Sequence, residues 1–311
     1  MNYKKMYPRY LWMIPLVIYT LFYILPGILG IYYSFVNYTI YNDSKEFVGF
    51  ANYIQMFSQN RFRVGLGNTL LFAVLTTVCK NLIGLAMAVA LNTSIRSRNV
   101  LRTIFYLPVI LSTLIVGQIF QAMLQPDTGL INHILSVFSS SALSFDWLGN
   151  PNTAMWMVIL VEIWKGAGYC MVIYLAGLQV ISKEYYEAAS IDGATAWTSF
   201  KNITLPLIVP SISINVLLSV VNGLKVFDII IALTGGGPGM STQVLSTTIY
   251  SYLGSGALST GCAAIVLSIG GWPAALTLGR LFVSAAGPGI LHGAGIALGI
   301  AEPLALLAKV P

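Results

Sequence analysis

The sequence predicts an all-α, polytopic membrane protein with about six transmembrane helices. Of its 311 residues, 57% are apolar and 8% are charged, and the mean hydropathy is +0.79. Soluble domains contain about one quarter charged residues, so this composition excludes a soluble globular protein and a disordered one. The net charge of +6 comes from residues between long apolar runs, which is typical of membrane-protein loops and does not indicate nucleic-acid binding.

Six apolar runs meet the length of about 20 residues that a helix needs to cross a bilayer. They cover residues 11–35, 67–91, 103–124, 154–181, 205–233 and 257–291. The first run follows a short N-terminal segment, residues 1–10, and is too long for the apolar region of a signal peptide. The last run contains Gly270, Gly271 and Pro273, so it is predicted as one kinked helix or two short segments.

The distribution of positive charge predicts that both termini lie in the cytoplasm. Three basic residues lie in the loops on one side of the predicted spans: Lys45, Arg61 and Arg63. Eight lie on the other side: Lys4, Lys5, Arg9, Arg96, Arg98, Arg102, Lys183 and Lys201. Because Lys and Arg accumulate in cytoplasmic loops, the second side is predicted to be the cytoplasmic face of a cell-membrane protein.

The sequence offers no chemistry for a cofactor or metal in this chain. The three cysteines, Cys79, Cys170 and Cys262, lie far apart in apolar runs and form no metal-ligand pattern. No GxxxxGK[ST] phosphate loop occurs, and the run GGGPGM lacks the lysine of such a loop. We therefore expect neither a catalytic site nor a metal site, and no ATP hydrolysis by this chain.

The loop at 182–206 is predicted to be a compact helix–turn–helix. Glu187, Ala188 and Ala189 belong to a segment that favours helix, and Asp192-Gly193 is a turn signal because glycine accepts a positive φ. Residues 194–202 can form a second helix, with Trp197 and Phe200 on one face. The residues alone support equally an amphipathic segment on lipid headgroups and a docking surface for a cytoplasmic partner.

The loop carries a fixed pattern, which runs from Glu187-Ala188-Ala189 through Gly193 and Ile203 to Leu205-Pro206. This pattern resembles the loop signature of bacterial ABC importer permeases: EAA, three residues, G, nine residues, I, one residue, LP. The resemblance covers about residues 10–252 and is to the maltose-type carbohydrate-uptake branch. Within it, the run at 233–245 favours the maltose F-type or glycerol-phosphate A-type subunit over its partner. Its other segments are RSRNVLRTIFYLPVILS, TGLINHIL, WLGNPNTAM, IWKGAGY and LTGGGPGMSTQVL.

The resemblance implies a type I ABC importer permease fold and a set of partners. The chain would pair with a second permease subunit and form half of the translocation pathway for a sugar-like solute. An ATPase subunit dimer in the cytoplasm would use ATP and Mg²⁺, and an extracytoplasmic solute-binding protein would deliver the solute.

The resemblance also implies roles for the loop residues at the joint with the ATPase. Glu187 would make a charged contact or a cap, and Ala188 and Ala189 would allow close packing. Gly193 would form the turn, and Asp192 would cap the helix that follows. The residues that would fix the loop to the fifth span are Ile203, Leu205 and Pro206.

Charged and amide side chains inside the spans are candidates for the substrate pathway, because each is costly in a membrane. Two i, i+3 pairs stand out, Glu162 with Lys165 and Lys225 with Asp228, and each could instead neutralise itself on its own helix face. The other candidates are Asn215 and Asn222 in the fifth span, while Lys80 lies in the second span.

Two other functions fit the sequence less well, and one segment departs from the family pattern. An ion-coupled secondary transporter could use the intramembrane charges but has no need of the loop, and a membrane enzyme would need a convergent cluster that is missing. Residues 254–311 contain 11 of the 29 glycines. We interpret this tail as a divergent end or the product of a reading-frame shift after about Ile265.

Overall fold

A computed structural model describes residues 10–93, 96–137 and 145–269. Within these ranges the chain forms two compact units. One contains the residues up to Leu66 together with those from Leu245 onward, and the other contains Gly67–Val244. The predicted N-terminal segment 1–10 and the atypical tail 254–311 lie largely outside the described residues, so the frame-shift hypothesis stays a prediction.

The first unit begins with a helix of membrane length. Helices α1 (Tyr10–Tyr19) and α2 (Leu25–Ser34) are joined by a π-helical turn at Thr20–Ile24. A β-hairpin follows, in which β1 (Val36–Thr39) pairs antiparallel with β2 (Asn42–Phe47). This unit therefore contains the first predicted span, which the structure places at Met13–Ser34.

The rest of the first unit packs α3 (Ala51–Ser58) and the start of α4 (Asn60–Leu91) around a small core that includes Met56 and Phe62. Two helices from the end of the described chain complete this core, and they cover Leu245–Gly254 and Leu258–Ile269. The phenol of Tyr252 donates a hydrogen bond to Gln59 at 2.7 Å, and Arg61 donates one to Ser251 at 2.6 Å. Burial raises the pKa of Tyr252, and the charge of Arg61 opposes that rise in part.

The second unit contains two straight spans and two bent ones. Helices α4 and α8 (Pro151–Val180) are long and apolar enough to cross a membrane unbroken. The bent spans are α5 (Arg98–Ile110) with α6 (Thr113–Met123), and Ala196–Leu207 with α12 (Val209–Leu224). The short helix α7 (Leu130–Ser136) follows α6. The described residues thus hold three spans, or five if each bent pair is one span, and the predicted sixth span continues beyond them.

The third and fifth spans are not the single helices that hydropathy predicts. The third bends by 94°, because Leu111 and Ser112 adopt extended backbone conformations between α5 and α6. The fifth bends by 66° at Ile208, since Pro210 cannot donate the hydrogen bond that would continue the preceding helix. It ends at Leu224, and α13 (Asp228–Leu233) starts after a break, so the predicted helix 205–233 is wrong in its continuity.

Small residues allow the helices of the second unit to pack closely. A Cβ atom added to Gly168 on α8 would lie 2.1 Å from the carbonyl oxygen of Phe105 on α5. One added to Gly84 on α4 would lie 2.6 Å from the Cβ of Cys170. Close backbone approach at small residues is the usual way in which membrane helices associate, so α8 is the central helix of this unit.

Candidate functional site

The loop between α8 and α12 folds into a helical hairpin, which we define as residues 182–207. Its first arm is α9 (Lys183–Ile191), and Ser182 caps it by accepting a hydrogen bond from the backbone N–H of Glu184. Its second arm consists of α10 (Ala196–Ser199), a π-helical turn and α11 (Leu205–Leu207). The predicted helix–turn–helix is confirmed.

The turn of the hairpin depends on Gly193, whose φ is +73°. Its N–H bonds to the carbonyl of Ser190 at 3.2 Å, and the N–H of Ala194 bonds to the carbonyl of Ala189 at 2.9 Å. The expected cap by Asp192 is wrong, because Asp192 ends α9. Thr195 caps the next helix instead, because the chain continues for two residues after the turn at Gly193 before α10 begins.

A side-chain hydrogen bond joins the two arms of the hairpin. The hydroxyl groups of Tyr186 on the first arm and Thr204 on the second lie 2.9 Å apart. Ala189 is buried and Ile203 is half-buried, whereas Ala188 is exposed. The hairpin is therefore a folded unit with fixed arms, not a flexible connection.

The hairpin presents charged and apolar groups on its surface. Glu187 is exposed, and its carboxylate has no hydrogen-bond or ion-pair partner among residues 10–93, 96–137 and 145–269. Trp197 is 70% exposed and stacks on Phe200 with ring centroids 5.8 Å apart, so the predicted shared face of these two rings is confirmed. Ile191 is 85% exposed at the end of the first arm. Leu205 and Pro206 are also exposed.

A cavity of about 220 Å³ lies between α4, α8 and α12. Three of the six candidate pathway residues line it, namely Glu162, Lys165 and Asn222, together with Lys80. The remaining lining residues are Val109, Gly166, Tyr169, Cys170, Leu218 and Ser219. The structure therefore brings charged groups from two different spans, and an amide from a third, to one site.

The charges at this cavity pair between helices and not along one helix. Lys80 Nζ on α4 lies 3.1 Å from Glu162 Oε1 on α8, so the expected Glu162–Lys165 pair on one face is wrong. Lys165 instead donates a hydrogen bond of 2.7 Å to the hydroxyl of Thr113 at the start of α6. Gly166 makes the interhelical pair possible, because a Cβ there would lie 2.4 Å from Lys80 Cδ.

The other three candidate pathway residues lie outside the cavity lining. Asn215 is completely buried and donates a hydrogen bond of 3.1 Å to the carbonyl of Cys170, so it packs α12 against α8. Lys225 directly follows the last residue of α12, and Asp228 begins α13. The prediction that these two charges share one helix face is therefore wrong, because the helix breaks between them.

A buried polar network beside the cavity was not anticipated from the sequence. Tyr174 donates to Asn81 Oδ1 at 2.5 Å, and the amide of Asn81 donates to the hydroxyl of Ser219 at 3.2 Å. The only signal was single polar residues within apolar runs on three separate spans. In the described part of the chain, no group of three or more His, Cys, Asp or Glu side chains could hold a metal ion.

A second cavity, of about 540 Å³, lies at the glycine-rich turn after α13. The turn adopts positive φ at Gly235, Gly236 and Gly239, and the hydroxyl groups of Thr234 and Thr242 lie 2.7 Å apart across it. Its other lining residues include Gln121, Leu148 and Gly149. Among the described residues, those that line this cavity are all uncharged.

Comparisons with known proteins agree on one family. The family described as "Binding-protein-dependent transport system inner membrane component" matches residues 80–278. The trehalose/maltose transport system permease protein MalF of Thermococcus litoralis is 33% identical, over 86% of this chain and 90% of the relative. A bacterial ABC transporter involved in the import of the acidic polysaccharide alginate has 28% identity and a TM-score of 0.76, over 89% of this chain and 94% of the other. A second alginate transporter structure, in complex with an alginate pentasaccharide-bound periplasmic protein, has a TM-score of 0.74.

Proposed function

Because the chain belongs to the binding-protein-dependent transport system inner membrane components, we propose that it forms half of a translocation pathway and is driven through its helical hairpin. It is a permease subunit of an ABC importer for sugar-like solutes, with an all-α polytopic fold. Its relatives are transport subunits and not enzymes. The hairpin is the observation that carries the coupling proposal.

The hairpin has the properties that a mechanical joint requires. It projects between α8 and α12, so a force on it acts directly on two helices that line the cavity. Its arms are fixed to each other by the Tyr186–Thr204 hydrogen bond and by the turn at Gly193. A folded element transmits displacement in both directions, whereas a flexible loop absorbs it.

The exposed side chains of the hairpin suit contact with a protein partner better than contact with water. Trp197 and Ile191 are large, apolar and mostly exposed, and the Glu187 carboxylate stands free nearby in sequence. Apolar anchors surrounded by polar groups are typical of protein interfaces. We assign this surface to a cytoplasmic ATPase subunit, which would supply the ATP and Mg²⁺ chemistry.

The remaining partners follow from the relatives. The alginate transporter forms a complex with a periplasmic protein that holds its solute, which supports a solute-binding protein as a partner here. The names of the relatives support a saccharide as the solute. The basic loops support a cytoplasmic position for both termini and the hairpin, and a second permease subunit would complete the pathway lined by Glu162, Lys165 and Asn222.

The coupling proposal is tested by two substitutions at one position. Gly193→Val places a β-branched residue at φ +73°, which costs about 1–3 kcal/mol and favours another turn conformation. Gly193→Asn tolerates this conformation. We expect the valine variant to lose co-purification with a candidate ATPase subunit, and the asparagine variant to retain it.

A control separates coupling from general destabilisation. Gly49 has φ +57° and open space around it, so Gly49→Val introduces the same strain outside the hairpin. It should retain the ATPase subunit at equal expression. Equal retention by both valine variants would contradict the hairpin as the joint. ATP-independent uptake driven by an ion gradient would favour a secondary transporter, for which the structure offers no specific support.

A further inference from the structure

Helix α3 in the first unit carries apolar side chains that the described residues leave uncovered. Phe50 directly precedes this helix, and Ile54 and Phe57 lie within it. The three residues recur at i, i+4 and i+7, so they share one face of the helix, and we define them as the apolar stripe. Phe50 is 69% exposed and Ile54 is 71% exposed. Large apolar side chains gathered on one exposed face mark a contact surface.

The other faces of α3 have different surroundings. Asn52 and Met56, one turn apart, are buried against the chain itself. Gln55 and Ser58 are exposed and polar. With 3.6 residues per turn, this polar pair lies about 100° round the helix from the apolar stripe. The exposed surface of α3 is therefore amphipathic, with an apolar side next to a polar side.

Side-chain hydrogen bonds fix α3 to the end of the first span. The amide of Asn52 donates to the carbonyl of Ser34 at 2.9 Å and to that of Val36 at 3.0 Å. The phenol of Tyr53 donates to the hydroxyl of Ser34 at 2.8 Å. Because Ser34 is the last residue of the span Met13–Ser34, these bonds hold α3 at the depth in the membrane where that span ends.

Aromatic rings connect the span to the apolar stripe. Phe35 directly follows the span, and its ring centroid lies 6.5 Å from that of Phe47 and 5.4 Å from that of Phe50. Phe47 is itself 77% exposed. No residue in the most apolar stretch of the span is buried within the described chain, and the surroundings of such a helix are lipid. The stripe therefore continues an apolar surface that lies in the bilayer.

We propose that the apolar stripe and Phe47 lie in the membrane interface, at the boundary between headgroups and acyl chains of the leaflet in which the first span ends. The stripe enters this boundary by about 5–10 Å, the depth of interfacial helices, while Gln55 and Ser58 face water. Interfacial anchors set the tilt of a membrane helix, so α3 sets the depth and tilt of the first span. This anchor does not depend on the coupling proposed for the helical hairpin.

The test measures the accessibility of spin labels on the full-length chain in lipid nanodiscs. Labels at Ile54→Cys and Phe57→Cys report on the stripe, and labels at Gln55→Cys and Ser58→Cys are matched controls on the same helix. Oxygen concentrates among acyl chains because it is apolar, whereas a polar nickel chelate stays in water. We expect the ratio of oxygen to nickel-chelate accessibility to be higher at the stripe, on the order of threefold or more.

The labels require a background without native cysteines, in which alanine replaces Cys79, Cys170 and Cys262. Size-exclusion chromatography checks the folding of this background. Photo-crosslinking needs no such replacement and provides a second measurement. With benzoylphenylalanine at position 54, the intact mass after illumination should show a phospholipid adduct, whereas the same group at position 55 should give none.

Two results would overturn the proposal. Equal accessibility ratios at positions 54 and 55, without a lipid adduct at either, would place both faces in water. Low accessibility of position 54 to both reagents, with a crosslink to protein, would show that a second copy of this chain covers the stripe. The same result only after co-expression with candidate partner subunits would assign the stripe to one of them. Neither result affects the hairpin coupling, which the Gly193 experiment tests separately.

Discussion

The ion pair between Lys80 and Glu162 should stabilise the packing of α4 against α8, with unequal contributions from its two ends. Charges 3.1 Å apart attract by about 5 kcal/mol at an effective dielectric constant of 20, and desolvation offsets much of this gain. The Lys80 side chain is 6% exposed, while that of Glu162 is 21% exposed. Removing the carboxylate therefore strands a buried cation, whereas removing the cation leaves a carboxylate that cavity water can reach.

We expect Glu162→Gln to lower the free energy of unfolding by about 3–5 kcal/mol, the range for breaking one side of a buried pair. Lys80→Met should cost less, about 1–3 kcal/mol, because it keeps the apolar stem against Gly166 and leaves a partly hydrated acceptor. The double variant should lose less than the sum of the two single losses, because no charge remains unpaired.

The assay is a double-mutant cycle on the purified chain, with the free energy of unfolding measured by steric trapping in bicelles. A positive coupling between the two positions, of about 1–3 kcal/mol, is expected for groups in contact. If the loss of unfolding free energy in the double variant equals the sum of the two single losses, the energetic interaction between Lys80 and Glu162 is refuted. A larger loss for Lys80→Met than for Glu162→Gln would refute the argument from burial.

Two other substitutions test the packing around α8 by the same unfolding measurement. Gly168→Ala should lower the free energy of unfolding by about 1–3 kcal/mol, because its Cβ would meet the Phe105 carbonyl. As a control, Gly67→Ala in open space on α4 should raise it by up to about 1 kcal/mol. Similar effects of the two substitutions would contradict the close contact at Gly168. Tyr174→Phe should lower the free energy of unfolding by about 1–3 kcal/mol, because Asn81 loses its hydroxyl donor inside the helix bundle. An unchanged free energy of unfolding would mean that this hydrogen bond makes no net contribution to stability.

The hairpin was the most predictable part of the chain, because its signals are local. Helix formers around Glu187, the glycine at 193 and the proline at 206 each restrict the backbone of their own neighbourhood. The error at Asp192 is also local. Aspartate is favourable both near a turn and at a helix start, and only the path of the chain after Gly193 showed that Thr195 takes the cap.

The bends and the charge pairs were not predictable, because they depend on neighbouring helices. Hydropathy depends only on how apolar the residues are. The bend at Leu111 lies inside an apolar run, so the extended backbone there does not change the hydropathy and could not be predicted from it. Likewise, the i, i+3 spacing of Glu162 and Lys165 allows a local pair. In the folded chain the packing of α4 against α8 places Lys80 next to Glu162, so the ion pair forms between the two helices. The sequence of either helix alone does not predict that packing.

Helix α12 connects the hairpin to the 220 Å³ cavity in the second unit. It follows the hairpin directly, and three turns later it carries Ser219 and Asn222 at the cavity. Asn215, between these points, bonds to the backbone of α8 at Cys170. Under the coupling proposed above, a displacement of the hairpin would reach the cavity wall through α12 and would work against this buried hydrogen bond. The position of Asn215 away from the cavity fits that proposal, because a residue that sets the distance between α8 and α12 can control the width of the cavity without lining it.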